Sequence, residues 1–282
     1  MTTKQLTAII DQGLALKLIS QAYTEIASAK LKKIRTAVEK DRYFLEDLAK
    51  VYRVVKQLAA QRQMLPAKNS KAISIVITSN YHFYGNVNSN LIKFFIENMQ
   101  QQPVVEQIVI GKTALEYLSG IKYSQKYESV VLKSDYPTLA ELNQLVARVK
   151  NYSRILIYYS KLKTVMVQNP FISDITQTSY LKNTPPHPTA KEQLFIFEPE
   201  LKKILDFFDS QVTNLLLQQT FLESELSRTA SRLISMDSAQ SNADQYITEQ
   251  KRLLSTVKRS ITNSRILETY TALSSLRRDI YE

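Results

Sequence analysis

Gly111-Lys112-Thr113 is the segment whose residue types come nearest to a phosphate-binding loop, in which glycines and backbone amides surround phosphate oxygens. It follows a short apolar run that ends at Ile110, as such a loop follows a strand. The phosphate-binding pattern needs a further glycine five positions before Gly111, and Glu106 stands there. We therefore favour an ordinary strand-to-helix turn over a nucleotide site.

Other residue types that support catalysis or metal binding are scarce. The chain has no Cys, which removes disulfides, thiol nucleophiles and Cys-based zinc or iron–sulfur sites. Its two histidines, His82 and His187, are far apart in sequence and have no acidic residue at motif spacing. We predict no catalytic residue, no metal site and no bound cofactor, and we expect both histidines in loops.

Positive charge is the remaining feature that could recognise a partner. The formal net charge is +11, and the excess lies before residue 200, because residues 200–282 hold equal numbers of basic and acidic side chains. Lys30, Lys32, Lys33 and Arg35 lie together on a predicted helix. A solvated helix face is the ordinary explanation. A contact with phosphate groups or with carboxylates is the alternative, although no base-reading motif accompanies the cluster.

The prolines divide the chain into three segments. All 8 lie between positions 66 and 199. We therefore predict an N-terminal helical segment 1–65, a central domain 66–199 and a C-terminal helical segment 200–282. A proline-rich loop at residues 183–188 would return the chain to the last helix. No apolar run approaches the roughly 20 residues that span a bilayer, and the first residues carry no apolar signal region. We expect an intracellular protein without a transmembrane helix.

Both terminal segments repeat apolar residues at alternating steps of three and four, the spacing of a coiled coil. In the C-terminal segment the series runs from Leu205 to Ile261. In the N-terminal segment it forms two groups, which are Leu16, Ile19, Tyr23 and Ile26, then Leu45, Leu48, Tyr52, Val55 and Ala59. Because each helix must cover one apolar face, we predict a long antiparallel coiled coil of the two terminal helices.

The central segment alternates between two kinds of pattern. β-branched runs predict strands at residues 72–78, 104–110 and 155–159, and helical spacing predicts helices at 91–99, 113–118 and 138–150. Alternating strands and helices favour a doubly wound sheet. The fold class we predict is α/β, with a small Rossmann-like domain inserted between the two coiled-coil helices.

Several short segments together resemble the γ subunit of the F-type ATP synthase (F1-ATPase) family, the central rotor shaft. Residues 78–91 are similar to the family's T-S-D-R-G-L-C-G-G-L-N-S-N-L, keeping Thr-Ser, one Gly and Asn-Ser-Asn-Leu. Ile110-Gly111-Lys112 matches the family's I-G-K, and Phe197-Glu198-Pro199 resembles its Tyr-Glu-Pro. Residues 27–32 resemble the Ala-Ala-Ser-Lys-Met-Arg of its first helix. The similarity extends over nearly the whole chain.

The resemblance implies a coiled coil inside a hexamer of three α and three β subunits, with the middle domain resting beside ε on the membrane c-ring. It implies a non-catalytic rotor subunit of a proton- or sodium-translocating complex, cytoplasmic and peripheral on the inner face of the bacterial plasma membrane. Contacts with the hexamer are then expected at Lys30, Lys32, Lys33, Arg228, Arg232, Lys258 and Arg259. Contacts on the c-ring and ε side are expected at Asn80, Tyr81, His82, Asn88 and Asn90.

The chain departs from the family pattern at several positions. Asn80-Tyr81-His82 replaces Asp-Arg-Gly, Tyr84 replaces Cys, and Glu25 stands where the family has Met. Ser227-Arg228 replaces Ser-Glu, and Lys258-Arg259 replaces Arg-Gln. These departures leave open the shaft of an F1-like paralogue that is not coupled to a standard c-ring, or a fast-evolving lineage. Two other classes of protein are the alternatives: a coiled-coil scaffold protein, and a nucleic-acid-binding protein that uses the basic helix.

Overall fold

The computed structural model describes residues 2–61, 69–101, 106–176 and 200–281. The chain forms two compact units, one of residues Met1–Ile26 with Leu233–Glu282 and one of residues Ala27–Arg232. The predicted loop at 183–188, His187 and the segment 197–199 lie outside the described residues.

Five helices and five strands are described. The helices are α1 (Thr3–Gln61), α2 (Val87–Gln101), α3 (Lys112–Gly120), α4 (Leu139–Val149) and α5 (Leu201–Tyr281). The strands are β1 (Asn69–Ile77), β2 (Glu106–Ile110), β3 (Glu128–Val130), β4 (Tyr152–Thr164) and β5 (Val167–Asp174).

Every helix and strand that the sequence predicted in the central segment is present. Two strands were not predicted. β3 has only three residues, too few for a periodic pattern. β5 contains Pro170, which suits an edge strand but weakens the strand pattern in the sequence.

One sheet organises the larger unit. Its strand order is β3-β2-β1-β4-β5, parallel throughout except that β5 runs antiparallel to β4. At the centre, Ile75 pairs with Ile108 on one side and with Ile157 on the other. This topology confirms the predicted Rossmann-like domain, with a switch in strand order between β1 and β4.

Helices cover both faces of the sheet, which explains why β1 is apolar throughout. Ile73, Ile75 and Ile77 point to the face covered by α1, α4 and α5. Val76 points to the face covered by α2 and α3. Each such fully buried aliphatic side chain contributes about 1.5–3 kcal/mol to folding. Packing on both faces therefore stabilises the contact between the sheet and its helices.

In the larger unit, α1 packs against α5 through the second predicted apolar group. Leu45, Tyr52, Val55 and Ala59 are buried, and Leu48 is partly buried beside them. The Tyr52 hydroxyl also donates a hydrogen bond to the Asp209 side chain on α5. The predicted pairing of the terminal helices and its spacing are therefore confirmed here.

In the smaller unit, the first predicted apolar group of α1 was wrong. Leu16, Ile19 and Ile26 are exposed and Tyr23 is half-buried, whereas Leu6 and Ile10 are buried. The buried face continues through small or charged residues. Gly13 faces Ile247, Lys17 pairs with Asp244 at 2.6 Å, and Ser20 is buried. A search for apolar residues alone passes over such a face.

The predicted series on α5 is correct over most of its length. Val212, Leu226, Met236 and Ile247 are buried. Leu254 and Val257 are half-buried, and residues 258–274 are exposed on every side, so the predicted member Ile261 is not part of the packed face. Of the helices described, none carries an apolar stretch of the length and hydropathy needed to cross a membrane.

Candidate functional site

In doubly wound sheets, ligands bind outside the carboxyl ends of the strands. Here that edge is formed by the residues that follow β1 and by the first turn of α3. The Lys112 amide donates to Asn80 Oδ1 at 3.2 Å and the Thr113 amide to the Ser79 carbonyl at 3.1 Å. The Ala114 amide donates to Thr78 Oγ1 at 3.3 Å. A phosphate would need these same donors, and the chain already engages them.

The loop between β1 and α2 is held by hydrogen bonds from its own first residues. Ser79 Oγ donates to the Tyr81 carbonyl at 2.6 Å and accepts from Asn88 Nδ2 at 2.7 Å. Asn80 Nδ2 donates to the Leu132 carbonyl at 2.7 Å. Phe83 has a φ of 68°, a conformation that bulky side chains rarely adopt. The loop therefore has a defined and locally strained shape.

A buried tyrosine, Tyr84, lies near the end of this loop. The Tyr84 hydroxyl donates to Asp135 Oδ2, while the Asn80 amide donates to Asp135 Oδ1 at 2.6 Å. Burial raises the pKa of Tyr84, and the hydrogen bond to Asp135 raises it further. The phenol is therefore neutral at physiological pH, as a hydrogen-bond donor to a carboxylate must be.

Helix α5 lies across the carboxyl edge and occupies the place where a ligand would bind. Three of its residues share the face that touches the edge. Ser227 Oγ lies 2.6 Å from Ser160 Oγ, Arg228 Nη2 donates to the Asp135 carbonyl at 3.2 Å, and Ser231 Oγ donates to the Tyr84 carbonyl at 2.8 Å. Because serine is small, the helix backbone can approach the ends of the strands closely.

A second buried contact joins α5 to β4. The Tyr159 hydroxyl donates to Glu223 Oε2 at 2.7 Å, and Arg42 on α1 lies 3.6 Å from the other carboxylate oxygen. Burial raises the pKa of Tyr159, with the Glu223 carboxylate adding to the increase. Polar contacts between the domain and the helix are thus made at two places about a turn of helix apart.

Arg228 requires a correction. It was expected on a surface that meets another subunit, but its side chain is only 1% exposed. Its Nη1 donates to Ser224 Oγ at 2.9 Å and its Nη2 to Asp135, so the guanidinium binds within the chain. Arg232, one turn on, places its guanidinium 3.9 Å from the centre of the Tyr84 ring and donates to the His82 carbonyl at 3.0 Å.

Of the basic cluster on α1, two side chains pair with acidic residues of the chain and two are exposed. Lys30 Nζ lies 2.5 Å from Glu225 Oε1 on α5, and Arg35 pairs with Glu39. Between them, Ile34 is buried in a small apolar cluster with α5. Lys32 and Lys33 are exposed, as are Lys258 and Arg259 near the end of α5.

The residues expected on the c-ring and ε side also differ in exposure. Tyr81, His82 and Asn90 are exposed. Asn88 is buried and Asn80 is half-buried. The side-chain amide of Asn88 is engaged by Ser79 and that of Asn80 by the Leu132 carbonyl. Asn88 is buried, which corrects the expectation for it, whereas the contact expected at Asn80 stays a prediction.

Sequence analysis missed Asp135, Ser231 and Glu223. Asp135 stands between Ser134 and Tyr136 without any motif around it. A signal did exist on α5, because Ser224, Ser227 and Ser231 follow the spacing of three and four. A stripe of small hydroxyl residues indicates close helix packing, but it does not identify the contacting element.

Comparisons with known proteins cover almost the whole chain. A family model described as ATP synthase matches residues 2–276. The ATP synthase gamma chain of Geobacter metallireducens is 24% identical in an alignment over 272 residues that covers 92% of this chain and 93% of that one. The gamma chain of Psychrobacter arcticus is 22% identical in an alignment over 282 residues that covers 94% of this chain and 96% of that one.

Solved structures with the same fold come from rotary complexes. The central stalk and c-ring structure of Tetrahymena thermophila mitochondrial ATP synthase contains a chain that matches with a TM-score of 0.59 and 19% identity, covering 78% of this chain and 99% of that one. A chain of the Euglena gracilis mitochondrial ATP synthase matches with a TM-score of 0.56 and 15% identity, covering 88% and 95%. These matches show the fold.

Proposed function

The chain belongs to the ATP synthase family, and on that basis we propose that it is the γ subunit of an F-type ATP synthase, the central stalk that turns inside a hexamer of α and β subunits. The observation that carries the proposal is the coverage. Two gamma chains match over 92% and 94% of this chain. The chain itself has the order helix, α/β domain, helix.

Such a shaft acts by position and needs no catalytic residue of its own. An asymmetric helical surface stabilises a different conformation in each surrounding β subunit, and rotation shifts those populations in turn. The contacts of α5 with the carboxyl edge suit this task, because they fill the usual ligand crevice of the domain with the helix itself. The domain then serves as an attachment for the helix.

We assign the hexamer contacts to exposed basic side chains, namely Lys32, Lys33, Lys258 and Arg259. Exposed charge can pair with carboxylates of one subunit and then of the next, whereas a deep apolar contact would hold the shaft in one orientation. Lys30 and Arg232 contribute less, because part of their charge is already engaged within the chain.

For the exposed loop residues Tyr81 and His82, the contacts of the loop favour the hexamer side over the c-ring side. The loop is held by Ser231 and Arg232, at the point where α5 continues into residues 233–282. The family resemblance implies that the coiled coil of the terminal helices lies inside the hexamer, so a loop held by α5 would lie on that side.

We further propose a non-catalytic role in a proton- or sodium-translocating complex that includes ε and the c-ring, on the inner face of a bacterial plasma membrane. The support is that the relatives named above are bacterial gamma chains. The departures at Asn80-Tyr81-His82 support one variant of the proposal, in which the complex is F1-like and lacks a standard c-ring.

Purification of the tagged chain from its source cells tests the proposal. We expect α- and β-type subunits to co-purify, and we expect ATP hydrolysis by α and β subunits to rise when the chain is added. A complex with α and β but without c-ring subunits would identify the F1-like variant. Purification without any nucleotide-binding subunit, together with nucleic-acid binding that weakens steeply with salt, would overturn the proposal.

A further inference from the structure

Two departures from the family pattern meet at one buried residue. Tyr84 stands where the family has Cys, and Arg228 stands where it has Glu. The Tyr84 hydroxyl donates to Asp135 Oδ2, and Arg228 Nη2 donates to the Asp135 carbonyl at 3.2 Å. All three side chains are buried. They come from the loop after β1, the segment between β3 and α4, and helix α5.

We infer that Tyr84, Asp135 and Arg228 form a positioning lock, which holds the loop of residues 80–84 on α5 so that its exposed aromatic side chains turn with the helix. The inference rests on the proposed rotor function for its consequence, but the lock itself is a property of the isolated chain. No residue of the lock is expected to touch a nucleotide.

Asp135 closes the loop with a single carboxylate. Oδ1 accepts from the amide of Asn80, the first residue of the loop, and Oδ2 accepts from the hydroxyl of Tyr84, the last. One side chain thereby holds both ends of a five-residue segment. Hydrogen bonds to a carboxylate are about twice as strong as those between neutral groups, and burial makes their loss more costly.

Arg228 joins this closed loop to the helix. Its guanidinium is almost fully buried and donates to Ser224 Oγ on its own helix and to the backbone carbonyl of Asp135. The Arg228 contact therefore fixes the backbone of Asp135 on α5, while the Asp135 carboxylate holds the loop. The two acidic neighbours on α5 are engaged elsewhere, Glu223 with Tyr159 and Glu225 with Lys30.

Helix α5 also contacts Tyr84 directly. Ser231 Oγ donates to its carbonyl at 2.8 Å, and the Arg232 guanidinium lies 3.9 Å from the centre of its ring. Tyr84 therefore presents its hydroxyl to Asp135, its carbonyl to one helix residue and its ring to another. The last residue of the loop is attached on three sides.

The lock explains how the loop keeps an unfavourable shape. Phe83 has a positive φ of 68°, and its side chain is 60% exposed, so its own burial does not stabilise that conformation. Tyr81 is 54% exposed on the same loop. A strained residue persists when its surroundings determine it, and the contacts of Tyr84 and Asn80 with Asp135 are among those that do so here.

Hydrogen exchange on the isolated full-length chain tests the lock. We expect Tyr84→Phe and Asp135→Ala to speed exchange of the amides of residues 80–86 by roughly tenfold, with the amides of Ile75 and Val76 in the sheet unchanged. Asp135→Asn keeps a side-chain acceptor and should fall between wild type and Asp135→Ala. Tyr43→Phe removes an exposed hydroxyl and is the matched control. Unchanged exchange in Tyr84→Phe would overturn the lock.

The positioning role needs a second readout, in the complex with α and β subunits. We expect Tyr84→Phe to assemble normally and to lower the ATP hydrolysis rate or the torque severalfold, with Asp135→Asn partly restoring what Asp135→Ala loses. Faster loop exchange with unchanged turnover and torque would limit the lock to a structural role and overturn the positioning inference. Failure of the wild-type chain to join α and β subunits would overturn the proposed function and leave the exchange result standing.

Discussion

A Cβ placed on Gly111 would lie 2.6 Å from Thr78 Oγ1 and 2.7 Å from the Thr78 carbonyl oxygen. The turn after β2 passes this close because Thr78 donates to the Ile110 carbonyl twice, from its amide at 2.9 Å and from its hydroxyl at 2.7 Å. Gly111 also has a φ of 102°. Both the space and the backbone conformation at this position therefore require glycine.

Gly111→Ala should reduce the free energy of unfolding by about 2–4 kcal/mol, because the backbone strain and the clash with Thr78 add to each other. Gly120→Ala is the control, since a Cβ at Gly120 meets nothing within 4 Å and φ is not positive there. That change should stabilise the chain slightly, by up to about 1 kcal/mol. Urea denaturation of both variants measures the difference, and equal effects would contradict the explanation.

The face of α1 that packs on α5 in the smaller unit can be tested with two matched substitutions. Ile10 is 8% exposed and Leu18 is 65% exposed. Ile10→Asn should cost about 2–4 kcal/mol, because it removes a buried side chain and buries an amide in its place. Leu18→Asn should change stability by less than about 0.5 kcal/mol. Thermal unfolding of the isolated chain followed by helical circular dichroism distinguishes them. A larger loss at Leu18 than at Ile10 would contradict the assignment of the buried face.

The capping box of α4 should make stability depend on pH. The Glu141 carboxylate accepts from the Thr138 and Lys133 amides, and these hydrogen bonds lower its pKa from the ordinary 4.5. Since the folded pKa lies below the unfolded one, the stabilisation is present above pH 4.5 and is lost as pH falls through the folded pKa.

The Tm difference between wild type and Glu141→Ala should therefore shrink as pH falls below about 4.5, while it stays constant near neutrality. The corresponding difference in the free energy of unfolding should stay below about 1 kcal/mol, because solvent screens the carboxylate. Glu141→Gln keeps an acceptor without the titration, so its Tm difference from Glu141→Ala should not change with pH. A wild-type advantage that grows towards acid would reverse the assigned sign.

Lys258 and Arg259 are the exposed residues on which the proposed hexamer contact can be tested. We expect Lys258→Ala with Arg259→Ala to lower the ATP hydrolysis rate of the assembled complex and to leave assembly intact, since each exposed ion pair contributes only about 0.2–1 kcal/mol. Lys251→Ala with Arg252→Ala removes the same charge two turns earlier and is the control. Unchanged turnover and torque would show that Lys258 and Arg259 are only solvated surface residues. Equal slowing by both double variants would show that the effect comes from net charge and not from a specific contact.

The isolated chain should neither bind nor hydrolyse ATP, because the first amides of α3 already donate to Thr78, Ser79 and Asn80. Calorimetric titration with ATP and magnesium measures binding, and phosphate release measures turnover. Activity that is present in the purified chain and disappears in Lys112→Ala would contradict this prediction.

Local patterns in the sequence were enough to predict the class of fold. The β-branched runs that became β1, β2 and β4 and the helical spacing of α2 and α4 depend only on which side chains recur every two or every three to four residues. The absence of Gly and Pro from α5 likewise predicted a helix without interruption. The second apolar group of α1 had the correct face because large apolar side chains occupy it.

The face of the first part of α1 could not be predicted in this way, because packing there uses Gly13, Lys17 and Ser20. A glycine allows Ile247 to approach, and a lysine is satisfied by Asp244, but neither shows its partner in the sequence. The exposed Leu16 and Ile19 then give the stronger apolar pattern on the wrong side. The spacing of apolar residues reports only the type of each side chain. Packing depends also on the shape of the side chain and on the residue that faces it on the other helix.

The lock was decided by the tertiary structure alone. Asp135 is 51 positions from Tyr84 and 93 positions from Arg228, and the sheet topology brings the three together at its carboxyl edge. The sequence by itself determined that Arg228 is charged and lies on a long helix, from which an exposed position was the natural expectation. Whether a charge is buried depends on which distant groups can accept its hydrogen bonds, and only the folded chain supplies those groups.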